Sequence, residues 1–138
     1  MTVNDIIQRP TDMELHDISI GSAGLYPDWW LQESPSSDVD DCGDPLEGWE
    51  LTVSIYDLYD LDTAQGNPVA PVDTCRITAD KVWAAALAIA TSAVQHTSRE
   101  TVRQCQRLVY AGADATDFDQ HTADQLLQTV VLGWPHYR

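Results

Sequence analysis

Two periods run along the chain, and they change over near residue 73. Up to that point apolar and polar residues tend to alternate, the two-residue period of a strand with one buried face. Beyond it apolar residues recur every three or four positions, the period of helices. The clearest alternation is residues 48–60, "GWELTVSIYDLYD": Trp49, Leu51, Val53 and Ile55 share one face, and Glu50, Thr52, Ser54 and Tyr56 the other. Residues 13–21, "MELHDISIG", alternate in part and end on glycine, which predicts another strand. Residues 25–34, "LYPDWWLQES", are aromatic-rich and predict a third, with Pro27 holding its start at an edge or bulge. Together these predict an antiparallel three-stranded meander. Residues 62–74 are a loop by their proline and Gly-Asn-Pro content.

Three helices follow. Thr78 is a good N-cap for the first, with Ile77 and Val82 placed to staple its start. Val82, Trp83, Ala86, Leu87, Ile89, Ala90 and Val94 cover so much of its circumference that it should lie centrally. Thr97 and Glu100 form a capping-box pattern for the second, which ends at Gly112; Val102, Cys105, Leu108 and Val109 make its inner face. The third starts near Asp119 or Thr122, turns Leu126, Leu127, Val130 and Val131 inward and stops at Gly133. Strands first and helices afterwards predict an α+β fold in one domain spanning residues 1–138, strand-rich over 13–60 and helical over 76–133.

Composition sharpens this picture chiefly through charge. The 138 residues hold 22 acids and 7 bases, a formal net charge of −15, with Lys81 the single lysine. Such a surface repels nucleic acid and anionic membranes and attracts basic partners. Three widely spaced cysteines, Cys42, Cys75 and Cys105, without a C-x-x-C pair, fit a reducing compartment. The first ten residues show no secretory signal pattern, and the longest apolar run, residues 82–90, is too short to span a bilayer. These features predict a soluble, cytoplasmic protein.

The stretch that looks most like a site is "SSDVDDCGDPLEGWE", residues 36–50. Set against a calcium-binding loop with Asp38 at its first position, Asp40 and Gly43 fall correctly. Cys42 and Trp49, however, stand where oxygen ligands are needed. A turn-rich linker carrying Asp38, Asp40, Asp41 and Asp44 as surface charge is the better reading. Tyr56, Asp57, Tyr59, Asp60 and Asp62 continue the acidic, aromatic character, and Trp29 and Trp30 must point to opposite faces if they share a strand. Exposed aromatics ringed by acids resemble a protein-binding hot spot.

Other constellations are weaker. Arg99, Arg103 and Arg107 form one helical stripe, suited to pairing with the protein's own acids or to contacting an anion or partner. The histidines, His16, His96, His121 and His136, lack metal-site spacing and read as surface or helix-end residues. No G-x-S-x-G elbow, phosphate-binding loop or dinucleotide fingerprint is present, and "GSAG" at 21–24 is a turn. No enzymatic activity, cofactor or metal is therefore expected.

Three segments, "GWELTV", "RITADKVWAAALAIA" and "DATDFDQHTADQLLQTVVLG", resemble a family of small acidic proteins encoded by bacteriophages of actinobacteria. The likeness rests on residues 77–80, 114–124 and 126–133, mostly helix caps and core positions, and breaks off in the tail at 134–138. It implies a phage accessory protein acting in a bacterial cytoplasm and carries no activity. The expectation is a non-enzymatic protein that binds a host or phage protein through its acidic surface. In its sharpest form it mimics nucleic acid and inhibits a DNA- or RNA-binding or defence protein. The alternatives are a homo-oligomeric assembly component and a metal-dependent enzyme built on Asp38, Asp40, Asp41 and Asp44.

Overall fold

The computed structural model describes residues 9–23, 30–32, 37–57 and 70–137, with the backbone alone at 30–32, 37 and 38. It has an α+β fold: an antiparallel sheet and four α-helices among the described residues. The strands are β1 (Trp30–Gln32), β2 (Ser37–Val39), β3 (Pro45–Ile55) and β4 (Asp73–Thr78). The helices are α1 (Asp12–His16), α2 (Ala79–Ala90), α3 (Arg99–Ala111) and α4 (Gln120–Leu132).

The expected meander is not what forms, because residues 13–21 are helical. Thr11 caps α1, accepting from the Glu14 amide at 3.1 Å, while the Glu14 carboxylate accepts from the Thr11 amide at 3.0 Å. This reciprocal box satisfies two amides that a helix start would otherwise leave unpaired. The chain then widens into a π-helical turn, Asp17–Gly21, where the Ser19 hydroxyl donates to the Leu15 carbonyl at 2.6 Å. Leu15, Ile18 and Ala23 are buried on its inner side.

The sheet is built on β3. Ile55 pairs at once with Trp30 and Asp73, and Glu50 with Ser37 and Thr78. That geometry sets β1 and β2 end to end along one edge of β3 and β4 along the other. The third position across the sheet is thus filled from residues 73–78, which sequence reasoning assigned to a loop and a helix approach. Trp49, Leu51, Val53 and Ile55 are buried as their alternation predicts. Ser54 is buried too, so the opposite face is covered there rather than wet.

The helices follow their sequence signals closely. Thr78 caps α2 through the Lys81 amide, Asp119 caps α4 through the Thr122 amide, and Gly112 and Gly133 end α3 and α4. The cap of α3 is Ser98, one residue beyond the expected Thr97. Glu100 instead turns outward to Arg103 and to Gln104, whose Nε2 donates to it at 2.7 Å. One hydrophobic cluster joins α1, β3, β4 and the three long helices, with Leu51, Ile77, Ile89, Leu108, Leu126 and Leu127 among its fully buried members. Fully burying a side chain of this size contributes about 2 kcal/mol. No helix among the described residues is long and apolar enough to cross a membrane.

Candidate functional site

The acidic stretch forms the hairpin between β2 and β3. Asp40 organises it: one carboxylate oxygen, Oδ1, accepts from the Cys42 amide at 2.8 Å and the Asp44 amide at 2.9 Å. Two backbone bonds close the loop, Asp40 N–H to the Asp44 carbonyl at 2.9 Å and Gly43 N–H to the Asp40 carbonyl at 3.0 Å. Gly43 adopts φ +84°, a left-handed conformation that glycine enters without strain. Asp40 is therefore the internal acceptor of the turn, a common use of aspartate. Asp41 and Asp44 are exposed, as is Glu47 a short way along β3.

A second device fixes this hairpin to the core. The pairing of β2 with β3 slips between Ser37 and Val39, and Gly48 opposite the slip has φ +69°. Its amide donates to Asp12 Oδ2 at 2.7 Å, and the indole Nε1 of Trp49 donates to the Asp12 carbonyl at 2.7 Å. The start of α1 is thereby joined to the bulge of β3. Arg9 sits against the same carboxylate, 2.9 Å from Asp12 and 2.8 Å from Asp80. The Gly48 amide, more than Arg9, holds the Asp12 carboxyl below its ordinary value. Trp49 is buried edge-on to His16, ring centroids 5.1 Å apart; His16 is thus a core residue, not the surface residue expected.

Of the other residues singled out from sequence, Tyr56 and Asp57 follow β3 and are half-buried, and the Tyr137 hydroxyl donates to Asp57 Oδ1 at 3.5 Å. Trp30 and Asp38 lie in β1 and β2 by their backbones. Trp29, Tyr59, Asp60 and Asp62 fall outside the described residues. The structure therefore brings Asp40, Asp41 and Asp44 together and joins them with Glu47, while a continuous ring of aromatics around them is not among its described features. Among the described residues, no three His, Cys, Asp or Glu side chains converge so that they could hold a metal ion. Cys42, Cys75 and Cys105 are not bonded to one another, and burial pushes the Cys105 thiol up to about 12.

Charge is unevenly distributed. Residues 1–80 carry 17 of the 22 acids and 2 of the 7 bases, and the remainder of the chain carries 5 of each. Both bases of the first part are already engaged, Arg9 as above and Arg76 with Glu50 at 3.5 Å. On α3, Arg103 pairs with Glu100, whereas Arg99 and Arg107 have no acid within 4.0 Å among the described residues.

Sequence reasoning missed a second feature. His96, His121 and His136 come from the α2–α3 loop, the first turn of α4 and the tail, and all three line one cavity of about 510 Å³ with Trp134. The Trp134 ring stacks on His136 at 3.9 Å and lies 4.9 Å from His96. The tail is held there by Gln128, whose side-chain oxygen accepts from the His136 and Tyr137 amides at 2.7 and 2.8 Å. No spacing rule joins these positions, because each comes from a different element.

No family model matches this chain, and no curated protein or solved structure is similar to it.

Proposed function

We propose that this is a non-enzymatic interaction protein that presents an acidic face to a basic region of a partner protein. The observation that carries the reading is the β2–β3 hairpin. Asp41, Asp44 and Glu47 are exposed on a turn held by its own hydrogen bonds, and among the described residues no Lys or Arg lies within 4.0 Å of them. Carboxylates spread without order would raise solubility alone. Carboxylates gathered on an ordered turn, in the part of the chain that carries the whole charge excess, form a patch that steers a cationic partner. A protein that normally holds nucleic-acid phosphates is the partner class best matched, and blocking it by charge mimicry is the sharpest form of the proposal. The resemblance to acidic actinobacteriophage proteins supports a host or phage protein in a bacterial cytoplasm as the target. A metal-dependent reading of the same acids is less favoured, because Asp40 Oδ1 is already accepting two amides.

The test is capture from an actinobacterial lysate on the immobilised chain, eluted with rising salt, beside a D41K/D44K/E47K variant. The expected result is a nucleic-acid-binding protein that is shed as salt rises, competes with DNA for the chain and is lost from the variant. Equal capture by both chains, or recovery of the chain alone, would overturn the proposal, the latter in favour of self-assembly.

A further inference from the structure

We propose that the cavity around Trp134 is a binding site for a small organic oxyanion, a carboxylate or a phosphate monoester, recognised by His96, His121 and His136. It lies away from the acidic hairpin and does not depend on the function proposed for that surface. Its volume, about 510 Å³, is that of a small-molecule site. Its lining is the electrostatic exception in this protein: His96, His121 and His136 with Thr97, Ser98, Gln125, Trp134, Pro135 and Tyr137 include no carboxylate in a chain that has 22. Three of the four histidines are here. Imidazole N–H groups donate hydrogen bonds, which is what an oxyanion requires of its site.

Hydrogen-bond direction points the same way. The Gln125 side-chain oxygen accepts from the Ser98 amide at 2.9 Å and from the Thr101 hydroxyl at 2.7 Å, which leaves its –NH₂ to donate. Of the nearby carboxylates, Asp119 caps α4 and also interacts with His121, Asp124 accepts from Gln128 at 2.8 Å, and Glu100 pairs with Arg103; Arg99, in the first turn of α3, adds a positive charge close by. The backbone supplies a further sign. His96 has φ +66°, a left-handed conformation costing a non-glycine residue about 1 kcal/mol. Strain of this kind concentrates at ligand sites. Here it accompanies an imidazole placed 4.9 Å from Trp134, whose partly exposed indole offers an apolar wall.

The experiment is NMR titration of the full chain with phenyl phosphate and, separately, benzoate, following the imidazole resonances and the Trp134 indole N–H. Saturable shifts at the three histidines are expected with at least one probe. His96→Gly is the decisive variant. It removes an imidazole at a position where glycine is conformationally at ease, so it folds at least as well as the parent, and it should weaken binding about tenfold. Absence of saturable shifts with both probes at millimolar concentration and pH 6, shifts mapping away from the three imidazoles, or undiminished binding by His96→Gly would each overturn the assignment.

Discussion

Gln128 offers the sharpest test of how the tail is held. It is fully buried, and its carboxamide makes three hydrogen bonds to the tail: the side-chain oxygen accepts from the His136 and Tyr137 amides, and Nε2 donates to the Tyr137 carbonyl at 3.0 Å. Gln128→Met keeps the length and helix propensity of the side chain while removing these three bonds and a fourth, from Nε2 to Asp124 Oδ2 at 2.8 Å. At about 1 kcal/mol net for each, the loss is about 4 kcal/mol. His136 and Tyr137 are half-buried, so their backbone groups recover water once the tail lifts, which lowers the expected loss to about 2 kcal/mol. For a chain of 138 residues this corresponds to a melting temperature lower by about 6–8 °C. Urea denaturation gives the stability, and hydrogen exchange at the 136 and 137 amides reports the tail directly. Stability within about 0.5 kcal/mol of the parent, the noise level of a neutral surface change, together with unchanged protection of those two amides would refute the reasoning. Gln128→Glu should be worse than Met at neutral pH, because it buries a carboxylate beside Asp124 and has no donor for the Tyr137 carbonyl. It should regain stability as acid restores a proton to it.

Three further perturbations address the other devices. Asp40→Ala removes the acceptor of two turn amides and should cost about 1–2 kcal/mol by chemical denaturation, whereas Asp40→Asn, which keeps Oδ1, should stay within about 0.5 kcal/mol; equal effects would mean that charge, not the turn, matters there. Gly48→Ala meets no atom within 4 Å but forces φ +69° on a residue with a Cβ, so a loss of about 1 kcal/mol is expected from strain alone, read from the urea midpoint. Asp12 has a native value held below that of the unfolded chain, so its contribution is present above about pH 4 and disappears as the pH falls through the lowered native value. Asp12→Ala should therefore lower stability at pH 7 and narrow the difference between pH 7 and pH 3 relative to the parent, measured by denaturation at both.

What could be read from sequence was local. The Thr78 and Asp119 caps, the Gly112 and Gly133 stops and the apolar stripes of the three long helices were all legible, because each depends on residues within one or two turns of one another. The alternation that buries Trp49, Leu51, Val53 and Ile55 was legible for the same reason. Residues 13–21 show how local signals compete. The Thr11–Glu14 capping box was present in the letters "TDME", yet a partial alternation in "HDISI" suggested a strand; docking Leu15 and Ile18 into the core settles the choice for a helix. Strand β4 was invisible because it carries few apolar residues and is stabilised by pairing with β3, whose register no short window contains. The acids of the hairpin could be named but not sorted, since only the folded turn separates Asp40, used internally, from Asp41 and Asp44, left to solvent. The buried glutamines and the histidines around Trp134 belong wholly to tertiary structure. Hydrogen bonds between neighbours in sequence are encoded by short patterns, whereas a polar side chain far from its partner is buried only when packing of the whole chain brings that partner to it.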